Sequence, residues 1–329
     1  MEIQAKFWRK EKETSIACLL CPHGCIISED STGICKARKN TQGILSLPFY
    51  GEISSLAVDP IEKKPLYHFL PGKTILSIGF VGCSFQCPFC QNHSISQSSH
   101  VFTEHLDPED VVALAVKKKS FGIAYTYSEP LIHIEFILET AKLAKKMGLK
   151  NVLVSNGYIN PEPAQELLPL LDAANIDVKS FNPDFYLKEI KGKLQPVLDF
   201  ISLAAGKISL EITTLIIPGK NDSSEEIESI ARFIADIDDT IPYHLSRYYP
   251  TFKYTIPATS FETVMALSET ARKYLKYVYL GNVGLSETNT FCPSCGALLV
   301  RRLGYSTTIE GIKKNACTSC GETIPIVLS

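Results

Sequence analysis

Short apolar runs alternate with amphipathic stretches along most of this chain. The apolar runs lie at residues 74–81, 122–127, 151–155, 175–179, 209–217 and 241–245. They are rich in β-branched and aromatic side chains and too short for typical helices, which predicts strands. Amphipathic stretches near 108–119, 131–147, 162–171, 183–190, 194–205 and 223–236 predict intervening helices, with another near 261–274. Asp107-Pro108-Glu109-Asp110 supplies a cap, a proline at the first helical position and acid in the first turn. Ser223-Ser224-Glu225-Glu226 has capping-box spacing. Asn156-Gly157 and Pro218-Gly219 punctuate strand ends.

Repeated βα units build a parallel sheet. Six of them predict an α/β fold in the form of a partial (β/α)6 TIM-like barrel, three-quarters of the eight-stranded kind, with working residues at the C-terminal ends of the strands. An open, doubly wound sheet is the other arrangement that the pattern allows. A further strand-like run at 277–280 leads into Gly281-Asn282 and a polar linker at 286–290. The expected division is an N-terminal module over 1–72, the barrel over 73–285 and a C-terminal module over 286–329.

Composition narrows the class. Of 329 residues 45% are hydrophobic, enough for a large core. The formal charge of −2 gives no electrostatic reason to expect nucleic acid as a partner. No segment approaches the ~20 apolar residues of a membrane span, and the polar, charged start has no signal-peptide pattern. A cytoplasmic protein is therefore expected. The 11 cysteines fall into three groups with metal-ligand spacing, which predicts metal binding in a reducing compartment and not disulfides.

The middle group, Cys83, Cys87 and Cys90, follows the first barrel strand and has three thiols. Three thiolates at this spacing can hold three corners of a [4Fe–4S] cluster and leave one iron open. A zinc site here would need a fourth ligand, for which His93 is nearest in sequence. Cys83-Ser84-Phe85-Gln86-Cys87-Pro88-Phe89-Cys90 resembles the signature of the radical S-adenosylmethionine (SAM) superfamily. Tyr125-Thr126-Tyr127-Ser128-Glu129-Pro130 resembles the segment that meets the SAM amino group, with Tyr127-Ser128 in place of the common glycine pair. Ser155-Asn156-Gly157-Tyr158, Asp177-Val178-Lys179, 216–222 and 244–250 resemble motifs of a subgroup related to the activating enzymes of pyruvate formate-lyase. The resemblance implies that Tyr127, Ser128, Glu129, Asn156, Asp177, Lys179 and Arg247 bind SAM. It also implies that one electron from the reduced cluster splits SAM to a 5′-deoxyadenosyl radical, which abstracts hydrogen from a substrate. Oxygen sensitivity and an external electron donor of ferredoxin or flavodoxin type come with it. On the residues alone, Asp177 and Lys179 equally suit an internal ion pair, and His244 and Arg247 a ligand contact or a rim salt bridge. The remaining histidines, His68, His100, His105 and His133 among them, are expected as packing or surface residues.

Two four-cysteine groups flank the barrel. Cys292-Pro293-Ser294-Cys295-Gly296 and Cys317-Thr318-Ser319-Cys320-Gly321 have the spacing of a zinc ribbon, and rubredoxin-like iron shares that pattern. Cys18, Cys21, Cys25 and Cys35 suit zinc or a second iron–sulfur cluster. With Cys35-Lys36-Ala37-Arg38, this module resembles the radical SAM enzyme of the AmmeMemoRadiSam system, which implies partnership with that system's two other proteins. Three functions follow as alternatives: a radical SAM enzyme with an unidentified substrate, an activase of a glycyl-radical enzyme, or a metal-stapled nucleic-acid-binding protein.

Overall fold

The computed structural model describes residues 3–12, 14–98, 100–284 and 288–329. The boundary expected at 285/286 falls outside them. The N-terminal module is a three-stranded sheet of β1 (Trp8–Lys12), β2 (Ser15–Cys18) and β3 (Ile26–Ile27), followed by a hairpin of β4 (Lys39–Thr41) and β5 (Ile44–Ser46). Then β6 (Glu52–Ile53) leads to β7 (Ser55–Pro60). β7 pairs antiparallel with β8 (Thr74–Gly79) and so joins the barrel sheet, although it precedes residue 73.

After β8 come a single helical turn, α1 (His93–Ser96), and β9 (Glu104–His105), which pairs with β6. The chain then alternates α2 (Pro108–Lys117), β10 (Gly122–Thr126), α3 (Ile134–Lys146), β11 (Lys150–Ser155), α4 (Pro161–Leu167) and β12 (Ala173–Asp177). It continues through α5 (Pro183–Phe185), α6 (Gln195–Ala204), β13 (Ser209–Ile216), α7 (Ser224–Ile237), β14 (Tyr243–Arg247), α8 (Phe261–Ala271) and β15 (Val278–Gly281). The sheet order is β15-β14-β13-β12-β11-β10-β8-β7, in which each parallel strand lies beside its predecessor. A doubly wound sheet reverses direction at a switch point; this one does not. The alternative of an open, doubly wound sheet is thereby overturned. The run at 277–280 adds a seventh parallel strand, and the edges β15 and β7 leave the barrel incomplete.

The local signals act unequally. Asp107 caps α2 as expected, and with Asp110 it forms a reciprocal capping box. At α7, Ser223 caps the amide of Glu226 at 3.1 Å. The Glu226 carboxylate instead reaches across to Ser180 and to the Phe181 amide, so a tertiary contact replaces half of that box. The 183–190 stretch is helical but divided, α5 passing into a wider π turn at Tyr186–Ile190. The C-terminal module comprises β16 (Thr290–Phe291), β17 (Leu298–Leu303) and β18 (Ser306–Ile309), then β19 (Ile312–Lys313) paired with β20 (Ala316–Cys317). Among the described residues no helix is long and apolar enough to cross a membrane.

The base of the barrel holds a polar cluster that the pattern does not foretell. Glu211 on β13 accepts from the His68 amide at 2.7 Å and bonds His244 Nε2 at 2.6 Å. His68 Nε2 meets Tyr279 Oη at 2.7 Å. Arg302 of the C-terminal module enters from outside, donating to the Tyr67 carbonyl and to Thr290 Oγ1, each at 2.7 Å. His68 therefore belongs to a constellation. His244, the second residue of its strand, lies at the end away from the working face.

His68 and His133 are both buried. Burial pushes each imidazole down to about 4 from an ordinary 6.5. The unfolded chain therefore takes up protons first as the pH falls. Their stabilising contribution is full above 6.5 and is lost towards 4. Urea unfolding is expected to show a loss of about 2 kcal/mol per histidine between pH 7 and pH 5. A His68→Gln/His133→Gln variant should flatten that drop; an unchanged slope would contradict the assignment.

Candidate active site

The parallel strands deliver their C-terminal ends to one cavity of about 320 Å³. Its walls include Cys83, Cys87 and Cys90 from the loop after β8, and Tyr127 and Ser128 after β10. Asn156 after β11, Asp177 at the end of β12, Lys179 just after it, Thr213 from β13, Ser246 from β14 and Asn282 after β15 also line it. This is the end at which barrel enzymes carry their chemistry.

The cysteine loop is held from several sides. The Phe85 amide points at Cys83 Sγ at 3.3 Å. Asn156 Nδ2 donates to Ser84 Oγ at 3.0 Å and lies 3.8 Å from Cys83 Sγ. Ser96 Oγ lies 3.2 Å from Cys90 Sγ. His93 turns away and stacks on Phe252, with ring centroids 4.5 Å apart. Among the described residues no three ligand atoms here lie within 4.8 Å of one another. His93, the fourth ligand that a zinc site would need, is engaged with the Phe252 ring.

Glu129 does not line the cavity. It is buried, and its carboxylate accepts from the Leu131 amide at 3.0 Å, Ser155 Oγ at 2.7 Å and the Asn156 amide at 2.9 Å. Burial pushes it up to about 7, against those three donors. Its visible work is to pin the Ser155–Asn156 turn beside Cys83. Tyr127 takes a left-handed backbone, φ 72°, the conformation that glycine adopts freely and other residues at a cost of ~1–2 kcal/mol. Its hydroxyl donates to Asp59 Oδ2 at 2.5 Å, and Lys64 Nζ lies 2.7 Å from the same oxygen and 4.3 Å from the Tyr127 ring centroid. Lys64 lines the cavity and, with Asp59, is a residue that sequence reasoning missed. Both sit in the charged lead-in 59–65, whose contact with Tyr127 no local pattern announces.

Asp177 and Lys179 form an ion pair at 2.7 Å while facing the cavity. Burial opposes the Lys179 charge, but Asp177 and the neighbouring Cys87 sulfur hold its pKa above the ordinary lysine value. Asn221, from the Pro218-Gly219 loop, braces Lys179 by donating to its carbonyl at 2.8 Å. Thr213 Oγ1 is buried at the wall without a partner. Arg247 stands outside the lining, where its Nε donates to the Thr259 carbonyl at 3.0 Å and its guanidinium lies over Tyr249.

The N-terminal module abuts this loop. Gly82 has φ 86°, and a Cβ there would run into the Cys35 carbonyl oxygen. His23 turns from its own cysteines to bond the Ser84 carbonyl at 2.8 Å. Gly82→Ala is therefore expected to loosen the module, adding a steric clash to the ~1–2 kcal/mol backbone cost. Limited proteolysis of residues 1–72, expected to be at least about tenfold faster than in wild type, checks this; wild-type behaviour would sink it.

Three thiols on the open end of an incomplete barrel mark the candidate active site. Residues 77–234 match the radical SAM superfamily. An uncharacterized protein of Methanocaldococcus jannaschii is 41% identical over 334 residues, covering 99% of each chain. A pyruvate formate-lyase-activating enzyme of Listeria monocytogenes is 28% identical over 186 residues, covering 51% of this chain and 74% of its own. A radical SAM methyltransferase from Sphaerobacter thermophilus shares the fold with a TM-score of 0.52 at 16% identity, over 64% of this chain and 66% of that one. The chain belongs to the radical SAM superfamily and is an enzyme. Membership brings a [4Fe–4S] cluster and SAM as cofactors and the need for an external reductant. The cysteine spacing and the polar cavity fit both groups.

At the C-terminal module Cys292 and Cys320 stand 3.6 Å apart, and Cys295 and Cys317 3.7 Å. Gly296 and Gly321 turn the chain with φ 73° and 80°. The four thiols fit one tetrahedral metal ion, whose sulfur–sulfur edge is ~3.8 Å.

Proposed function

We propose that Cys83, Cys87 and Cys90 hold the [4Fe–4S] cluster, that SAM lies beside it in the cavity, and that hydrogen is taken from a substrate entering the same cavity. The observation that carries this reading is the three-thiol loop opening onto a cavity that Asn156, Asp177 and Lys179 also line. When bound, the cluster and SAM supply one-electron cleavage of a carbon–sulfur bond, and with it a radical that attacks carbon–hydrogen bonds. The chain's own residues position and enclose. Lys179, held charged by Asp177, offers a cation to a carboxylate, and Asp177 an anion to an ammonium group. Thr213 Oγ1 offers an unused hydrogen bond. Asn156, Tyr127 and Ser128 present polar atoms to the ligand. Glu129 is a positioning residue acting through Asn156, and Arg247 serves from the rim. Zinc is proposed for Cys292, Cys295, Cys317 and Cys320.

The electron donor is proposed to be a ferredoxin or flavodoxin. The N-terminal module and the Tyr127-Ser128-Glu129-Pro130 segment support a place in the AmmeMemoRadiSam system, with its two other proteins as partners. The test is anaerobic incubation of iron-loaded protein with SAM and dithionite. Methionine and 5′-deoxyadenosine are expected in equal amounts. Protein with a full Cys83/Cys87/Cys90 cluster that releases neither would overturn the reading.

A further inference from the structure

The four N-terminal thiols take no part in that chemistry, and their geometry differs from that of the C-terminal four. Cys292, Cys295, Cys317 and Cys320 close to within 4.8 Å of one another, as ligands of a single ion must. Cys18, Cys21, Cys25 and Cys35 are electrostatic neighbours. Yet among the described residues no three of them close to that distance. They share this wide spacing with Cys83, Cys87 and Cys90. Thiolates on the corners of a [4Fe–4S] cube stand roughly 6 Å apart, because iron and sulfide fill the space between them.

The surroundings are built for sulfur charge. Amides of His23, Ile34 and Ala37 point at the sulfurs of Cys21, Cys25 and Cys35. Arg38, fully buried, brings Nη1 to 4.0 Å from Cys18 Sγ. Gly33 stands between two thiols, where a Cβ would lie 3.7 Å from Cys25 Sγ and 3.8 Å from Cys35 Sγ. These donors would suit any thiolate centre; the spacing selects among centres.

We infer that Cys18, Cys21, Cys25 and Cys35 bind a second [4Fe–4S] cluster, closed by four protein thiolates, and not a zinc ion. The inference uses the radical SAM reading only for the comparison with Cys83, Cys87 and Cys90. The site adjoins the catalytic loop, since Cys35 touches Gly82 and the Tyr158 ring lies 5.0 Å from His23 and 4.8 Å from Phe85.

Mössbauer spectroscopy with iron, sulfide and zinc analysis tests it on the full chain, reconstituted anaerobically with iron-57. Wild type is compared with a Cys83→Ala/Cys87→Ala/Cys90→Ala variant and a Cys25→Ala/Cys35→Ala variant. About eight irons per chain are expected in wild type and about four in each variant, every four iron atoms forming one cube. The cluster kept by the triple variant should give an EPR signal, once reduced, that SAM does not alter, because none of its irons is open. A triple variant with no iron and an additional zinc overturns the inference and leaves the SAM site standing. A wild type with only four irons, all lost with Cys25 and Cys35, overturns the reading of Cys83, Cys87 and Cys90 instead. Should the double variant not fold, the triple variant alone decides.

Discussion

Cys87→Ala is expected to lower 5′-deoxyadenosine formation by at least about a thousandfold, equivalent to ~4 kcal/mol of transition-state stabilisation. The loop after β8 has three thiols, Cys83, Cys87 and Cys90. Removing one therefore leaves two, with no nearby histidine to substitute, since His93 is stacked on Phe252. Anaerobic chromatography of 5′-deoxyadenosine and methionine measures the rate, and metal analysis should show unchanged zinc. A variant that keeps a tenth of wild-type activity would refute the assignment. Cys295→Ala is the control, with SAM cleavage expected to stay within a few-fold of wild type.

The second large effect is on stability. Arg38 and Glu135 form a two-pronged ion pair with side chains 1% and 5% exposed. Arg38 also donates to the carbonyls of Lys6 and Ile132, at 3.1 and 3.3 Å, and the Lys6 amide donates to Glu135 at 2.7 Å. The pair thus ties the N-terminal module to the start of α3. Glu135→Ala would leave a guanidinium buried without its counter-charge, which costs about 3–5 kcal/mol. Anaerobic guanidinium unfolding should show that loss, with faster proteolysis of the module. An Arg38→Met/Glu135→Met variant should recover most of the stability, because the desolvation penalty goes with the charges. A loss below about 1 kcal/mol on Glu135→Ala would mean that the pair is not enclosed as described.

The parallel strands were legible because strands buried on both faces read as continuous apolar runs. Their ends were less so. The run at 175–179 belongs to a strand ending at Asp177, and that at 241–245 to one reaching Arg247. β7 escaped notice because an edge strand with half-exposed alternate residues has little apolar continuity. The role expected of Glu129 rested on its place in a motif. Its enclosure by Ser155, Asn156 and Leu131 depends on how β10 and β11 stand side by side. The Asp59–Lys64–Tyr127 contact joins segments more than sixty residues apart and has no local signature.

Cysteine spacing by itself set out three groups with metal-ligand spacing, the middle one without a fourth thiol, because ligands two to four residues apart are a local property of the chain. The motif resemblance around that middle group pointed to the class of chemistry, which the match of residues 77–234 to the radical SAM superfamily bears out. Only the tertiary structure decided that Asp177 and Lys179 pair while facing the cavity, that His244 lies at the barrel base with Glu211, and that Arg247 stands outside. Those outcomes follow from strand register and from charges finding partners across the fold. The close approach of the four C-terminal sulfurs, which their sequence spacing leaves open, is likewise a product of tertiary packing.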